Sequence, residues 1–308
     1  MAATLASTFV NIFSSLNIPS NLPTFIQPFS TTPSLNFSSK LPKFDSKTPN
    51  STQLREKQAT AVATAAIMFP ENPLLSDVCG FLVSAVIART TLGLWELTAK
   101  FDVFDSKLNR KLVHISIGLV FMLCWPLFSS GYCGAFFACL VPGVNIIRVL
   151  LIGLGIYKDE ATVKSMSRFG DYRELLKGPL YYASTITFAC FFFWRTSPIG
   201  IAAICNLCAG DGLADIVGRR LGKDKLPYNE NKSYAGTIAM AIAGFVASVG
   251  YMHYFSLFGF LQESWDMVLQ FLVVSLISAL VESLPISTQL DDNLTVPLAS
   301  FLAGSLLF

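Results

Sequence analysis

Three groups of side chains in this sequence have the types and spacing for chemistry on a phosphorylated ligand. The first is Asn206-Leu-Cys-Ala-Gly-Asp211-Gly-Leu-Ala-Asp215-Ile-Val-Gly-Arg219-Arg220. Asp211, Asp215 and Arg219 recur every four residues and so share one stripe of a helix, while Gly210 and Gly212 let a ligand or a neighbouring helix approach the backbone. The second runs from Gly222 through Lys223, Lys225 and Lys232 to Ser233, Gly236 and Thr237. Ammonium groups, hydroxyls and the free amides of a helix start can cradle phosphate. It is not a Walker A loop, because Gly218 to Lys223 has the wrong spacing and no Ser or Thr follows the lysine; a solvated loop explains the same residues as well. The third is Glu282 followed by Asp291-Asp292-Asn293, oxygen donors that suit a hard cation such as Mg²⁺, which binds through one or two carboxylates plus substrate phosphates. Glu282 has an alternative partner in Arg148. Acid for a metal and base for phosphate are what phosphoryl transfer needs, since its catalysis is mostly positioning and charge neutralisation.

The composition says what kind of elements must bring these groups together. Of 308 residues, 53% are hydrophobic and 14% charged, with a mean hydropathy of +0.55, whereas a soluble domain carries about 25% charged residues. The expected fold is therefore all-α, a polytopic transmembrane bundle of about seven or eight spans. A net charge of +2, with no basic run interleaved with aromatics, excludes a nucleic-acid partner. A span needs roughly 20 mostly apolar residues, and eight stretches qualify: about 74–98, 112–128, 133–156, 178–195, 198–217, 234–257, 267–285 and 294–308. The second and last are short, and Pro142 with Gly143 can kink or split the third.

If all eight span, loops 99–111, 157–177, 218–233 and 286–293 share one face, with fourteen of the seventeen basic residues beyond residue 60. The positive-inside rule alone would orient the chain this way. The acidic groups add something else, because carboxylates near the hydrocarbon cost a few kcal/mol and usually mark a site. All three groups fall on this face. The opposite face is nearly uncharged, which disfavours a transporter with polar groups lining a path across the membrane.

Residues 1 to about 60 differ in composition from the remainder. Up to Thr52 there are ten serines, seven threonines and one acidic residue, Asp45, and the first arginine is Arg55. Such a stretch cannot bury enough apolar surface to order itself and has the Ser-rich, acid-poor character of a transit peptide; the scarcity of arginine favours a chloroplast address. The domain of interest is then 68–308. Seven cysteines lie mostly in apolar stretches, and the one CxxC pair, Cys205 and Cys208, has no second pair and no nearby histidine, so packing is the preferred reading.

In their combined order, several motifs resemble the polyprenol kinase family of plant plastids, the phytol and farnesol kinases, and more distantly dolichol kinase and other CTP-using lipid kinases. They are Lys107-Leu-Asn-Arg-Lys-Leu-Val-His114, Glu174-Leu-Leu-Lys-Gly-Pro-Leu-Tyr181, Asn206 to Gly222, Leu226 to Thr237, and Val281-Glu-Ser-Leu-Pro-Ile-Ser287 running into Asp291-Asp-Asn-Leu. Met68-Phe-Pro-Glu-Asn-Pro and Phe121-Met-Leu-Cys-Trp-Pro-Leu-Phe-Ser-Ser look most like the farnesol kinase branch. The resemblance implies a multi-pass chloroplast membrane kinase that uses Mg²⁺ and CTP to convert a long-chain isoprenoid alcohol to its monophosphate, with membrane lipids around it. Carried onto this sequence, it implies metal and nucleotide work for Asp211 and Asp215, stabilisation of the transferring group by Arg219 and Lys232, and completion of the cation site by Glu282, Asp291 and Asp292. Arg110, Lys111, Arg220, Ser233, Gly236 and Thr237 would bind nucleotide or phosphate, with His114 as proton acceptor. The alternatives are a phytol kinase of tocopherol biosynthesis, a membrane cytidylyltransferase making a CDP-lipid, and a transporter.

Overall fold

The computed structural model describes residue 69 and residues 72–286 and 290–308. The expected transit segment, 1–60, lies outside the described residues. The chain divides between Thr48 and Pro49, and every described residue belongs to the part from Pro49 onward.

The expected all-helical bundle is what forms. Helix α1 (Pro73–Lys100) starts at Asn72, whose side chain accepts a hydrogen bond from the Leu75 amide. Helix α2 (Ser106–Leu123) is capped in the same way by Asp105 and runs on through a 3₁₀ turn, Trp125–Leu127. Helix α3 (Tyr132–Gly153) continues unbroken through Pro142. A short helix, α4 (Glu160–Met166), and a 3₁₀ turn, Tyr172–Leu176, cross the basic face before α5 (Gly178–Phe192). Then come α6 (Pro198–Cys205), a π-helical stretch Asn206–Gly210 and α7 (Asp211–Leu221), one continuous rod. A small antiparallel hairpin of β1 (Lys225–Leu226) and β2 (Asn229–Ser233) pairs Lys225 with Ser233. Helices α8 (Tyr234–Leu257), α9 (Trp265–Ser283) and α10 (Asp292–Leu307) complete the chain.

All eight expected stretches are helical, and among the described residues six helical segments are long and apolar enough to cross a membrane. The other two are α5, with 15 residues, and α10, with 16. At 1.5 Å per residue they cover about 22 to 24 Å, short of the ~30 Å hydrocarbon core. The second stretch, expected to be short, is lengthened by its polar first turns, because Ser106–Leu127 forms one 22-residue segment.

The α6–α7 rod is the hub. Every residue from Gly200 to Gly212 is buried, and α6 packs against α2, α5, α8, α9 and α10. Lipid tails are as apolar as leucine, so burial of apolar surface does not drive helices together within a bilayer; close backbone packing through small residues does. Gly200, Ala202, Ala203, Ala209, Gly210 and Gly212 supply it. The surrounding spans turn Leu82, Val86, Val144, Ile147, Ile238, Ile242, Leu276 and Leu280 outward, as a lipid-facing surface requires. Cys205 and Cys208 are free and buried within the hub, where they serve as packing residues.

The face away from the basic loops is closed by two buried charges. The Asp77 carboxylate accepts hydrogen bonds from the Ser129 amide (2.6 Å) and hydroxyl (2.7 Å). The Arg195 guanidinium donates to the carbonyls of Trp125 (3.2 Å) and Phe128 (2.6 Å) and to the Ser130 hydroxyl (2.9 Å), and its Cζ lies 3.8 Å from the centroid of the Phe260 ring. Removing such a group orphans buried acceptors at a cost of about 1–3 kcal/mol each. Arg195→Leu is therefore expected to lower the thermal unfolding midpoint of the purified protein by several degrees, and an unchanged midpoint would show that these bonds hold nothing together.

Candidate functional site

The π-helical stretch ahead of Asp211 is the first local feature that shapes the basic face. Asn206 donates through Nδ2 to the Ala202 carbonyl at 2.9 Å, and single π turns inside α-helices concentrate at functional sites. Next to it, Gly212 permits the closest approach between α7 and α2: a Cβ there would stand 2.2 Å from Ile115 Cγ1. Because no Cβ is present, the α2 stripe of Lys107, Arg110, Lys111 and His114 lies over the start of α7. Lys111 Nζ reaches Asp211 Oδ2 at 2.7 Å, and His114 Nε2 is 2.7 Å from the Leu207 carbonyl and 3.2 Å from Asp211 Oδ2. Both of those acceptors lack protons, so a neutral His114 carries its hydrogen on Nε2 and a lone pair on Nδ1.

The hairpin delivers the second lysine. Asn229 Nδ2 donates to the Ser283 carbonyl (2.9 Å), and the hydroxyls of Tyr228 and Ser283 are 2.9 Å apart, so the hairpin is tied to the end of α9. Lys232 is thereby held between two carboxylates, hydrogen-bonded to Glu282 and 3.1 Å from Asp292 Oδ2. Ligand oxygens of Asp211, Glu282 and Asp292 all lie within 4.8 Å of one another. Five elements, α2, α7, β2, α9 and α10, thus bring three carboxylates and two ammonium groups together.

Electrostatics reflect the crowding. Burial and the Asp211 carboxylate push the Asp292 carboxyl up to about 6, against the pull of Lys232. Burial alone would lower Lys232, but Asp292 and Glu282 outweigh it and raise it above the usual lysine value. The two directions agree physically: the lysine sees mostly negative neighbours, and the carboxyl sees other carboxylates as well as the lysine.

Around this cluster is a cavity of about 530 Å³, lined by seven basic side chains (Lys107, Arg110, Lys111, Arg168, Arg219, Lys225 and Lys232) and four carboxylates (Asp211, Asp215, Glu282 and Asp292). Three buried polar atoms belonging to its lining have no hydrogen-bond partner: Arg110 Nε, Thr237 Oγ1 and Asp292 Oδ1. Unsatisfied buried polar groups are rare and need an explanation, and a polar ligand in the cavity supplies one. The excess of positive charge suits a polyphosphate, and the all-oxygen donor set of the three close carboxylates suits Mg²⁺.

Of the residues singled out from sequence, Asp211, Glu282, Asp292, Lys111, Lys232 and His114 converge. Asp215 and Arg219 form an i,i+4 pair at 2.7 Å on the cavity wall, a turn away from the three close carboxylates. Asp291 is elsewhere occupied: its side chain caps α10 by accepting from the Asn293 amide at 3.0 Å, and it does not line the cavity. Arg220 is exposed and also off the lining. Ser233 lines the cavity, but its hydroxyl caps α8 by accepting from the Gly236 amide at 3.2 Å. Gly236 permits helix packing, since a Cβ there would stand 2.9 Å from the Ala214 carbonyl. Arg148 pairs with Asp159 (2.7 Å) and Glu96 (3.4 Å), which leaves Glu282 to Lys232. Lys107, Arg168 and Lys225 also line the cavity, although the sequence assigned none of them a role: Lys225 entered only as part of the second basic group, Lys107 as the start of a motif and Arg168 as one of the charges on the basic face.

The chain is 61% identical over 281 residues to farnesol kinase, chloroplastic, of Arabidopsis thaliana, covering 90% of this chain and 92% of that protein. It is 69% identical over 240 residues to probable phytol kinase 3, chloroplastic, of Glycine max (78% and 75%). With phytol kinase 1, chloroplastic, of Arabidopsis thaliana it shares 45% over 264 residues (84% of each). No family model matches the chain, and no solved structure does.

Because the folded Asp292 carboxyl titrates near 6, above an ordinary aspartate near 3.9, the folded protein binds that proton more tightly than the unfolded chain. Its ionised form costs stability above about pH 6, and the cost disappears below about pH 4. A shift of this size, discounted because a quarter of the side chain is exposed, is worth on the order of 1 kcal/mol. Asp292→Asn is expected to be more stable than wild type by that amount at pH 7.5 in metal-free buffer, and equally stable at pH 4. A variant less stable at pH 7.5 would contradict the charge crowding.

Proposed function

The chain belongs to the family of chloroplast farnesol and phytol kinases, and from that premise and the geometry above we propose how it works and on what. It is an isoprenoid alcohol kinase of a chloroplast membrane. Farnesol is the foremost acceptor, with geranylgeraniol and phytol as further ones, CTP is the phosphate donor and Mg²⁺ the cofactor. The observation that carries this reading is the meeting of Asp211, Glu282 and Asp292 with Lys111 and Lys232 in one cavity where basic groups predominate.

Asp211, Glu282 and Asp292 would hold Mg²⁺, which when bound neutralises charge on the triphosphate. Lys111 and Lys232 each carry three N–H donors. With some of these spent on carboxylates, the others are free for phosphate oxygens, and Arg110 Nε and Thr237 Oγ1 add unspent donors. The alcohol oxygen bonds to the γ-phosphorus as the bond from that phosphorus to the β-phosphate oxygen breaks, and nucleoside diphosphate leaves. The alcohol's proton passes to His114 Nδ1, whose orientation and neutral tautomer are fixed by the Nε2 contacts. The basic wall, with Arg168 and Arg219, stabilises charge that develops on the leaving phosphate. The transporter alternative is not favoured by a site in which acid and base are gathered at one membrane boundary.

Membranes containing the full chain should transfer label from γ-³²P-CTP to farnesol and none from α-³²P-CTP. Label from the α position would make it a cytidylyltransferase, and transfer of neither would end the kinase reading. Lys232→Met and Asp211→Asn are each expected to lower kcat by about 10²–10³, whereas Asp215→Asn, whose carboxylate faces Arg219, lowers it by about tenfold.

A further inference from the structure

A second cavity, about 260 Å³, opens between α1, α2, α3 and α5. Its walls are apolar, with Phe81 and Leu92 from α1, Ile117 and Phe121 from α2, Val141 from α3 and Ile186 from α5. The two arginines on its lining, Arg89 and Arg148, are both paired with Glu96. A third cavity of about 50 Å³ adjoins it, sharing Leu92, Ile117, Asn145 and Tyr182 with the apolar one. This small cavity is also lined by His114, and it shares Arg110 with the phosphate-binding cavity. The small cavity thus lies, as a neck, between an apolar slot among membrane helices and the proposed proton acceptor, sharing lining residues with the cavities on both sides.

Asn145 stands at the junction, on the lining of both the neck and the slot. It lies inside the membrane-spanning helix α3, is half-buried, and among the described residues its side chain makes no hydrogen bond. An amide within a span is costly and by default marks a functional position, and its two ends can both donate to and accept from a hydroxyl. On α1, Phe81, Ala85, Ala88 and Leu92 follow 4, 3 and 4 residues apart, a single helical stripe. From Leu92 at the neck to Phe81 is eleven residues, about 16 Å along the axis. The slot thus has a near end at the reacting groups and a far end about three turns away.

Resting on the kinase reading, we propose that this slot holds the isoprenoid tail of the acceptor. The neck passes its hydroxyl to His114, Asn145 hydrogen-bonds that hydroxyl, and the small residue Ala85 lets a long tail run past. Filling the far end should then penalise long tails and spare short ones. The test is kcat/KM of the full-length protein in membranes for a ten-carbon and a twenty-carbon prenyl alcohol. Ala85→Trp is expected to lower the twenty-to-ten ratio at least tenfold. Asn145→Leu should lower both values together, leave the ratio unchanged and raise the thermal midpoint, because an unpaired amide has been removed; a fall in both activity and midpoint would make Asn145 merely structural. An unchanged ratio in an active Ala85→Trp protein would overturn the slot. Should that variant be inactive on every alcohol, labelling of wild type by a farnesol analogue with a diazirine at the tail decides. Cross-links within residues 81–92 that free farnesol competes away support the slot, and cross-links confined to α8 or α9 overturn it. Failure of the kinase reading is distinct, since wild type would then phosphorylate neither alcohol.

Discussion

Placing three carboxylates within 4.8 Å of one another at the edge of a membrane is unfavourable, and the structure depends on the two lysines that make it tolerable. Lys111 and Lys232 cancel two of the three charges at contact distance, where opposite charges in a poorly hydrated setting interact most strongly. Neither lysine is a neighbour of its partner in sequence: Lys111 is 100 residues from Asp211, and Lys232 is 50 from Glu282 and 60 from Asp292. The cluster can therefore exist only when the α6–α7 rod, α2, the hairpin, α9 and α10 are all docked. One negative charge is left over, and it is the electrostatic opening for a divalent cation or for a further donor from a ligand.

The same logic explains why the rod is so fully enclosed. Small residues interspersed from Gly200 to Gly212 let five helices crowd against it, and the π turn that follows Cys205 delivers Asp211 to the polar boundary in contact with α2. The opposite membrane face uses charge differently. There Asp77 and Arg195 spend their charge on backbone groups and hydroxyls, and so close the bundle.

Much of this was legible in the sequence. Hydropathy gave the eight helical stretches, and alternation of loops placed the three chemical groups on one face, because basic residues report sidedness directly. What remained hidden was rotation and local capping. A four-residue spacing says that Asp211 and Asp215 share a stripe, but a stripe is a turn long between members, and only Asp211 reaches Lys111. Asp291 and Asp292 are adjacent and chemically alike, yet the helix start that makes Asp291 a cap turns Asp292 into the cavity. Lys225 and Lys232 sit on a hairpin that the sequence presents as an irregular basic link. The length of α5 was also hidden, because Phe193 and Trp194 are as apolar as the helix they follow.

The central claim is that Asp211, Glu282 and Asp292 form one divalent-cation site. Paramagnetic resonance of Mn²⁺ titrated into the purified protein in lipid nanodiscs, with a non-hydrolysable CTP analogue present, tests it most directly. One Mn²⁺ should bind per chain, with affinity at least tenfold weaker in Glu282→Gln and in Asp211→Asn and unaltered in Asp291→Asn. Affinity unchanged by Glu282→Gln, or abolished by Asp291→Asn alone, would contradict the account.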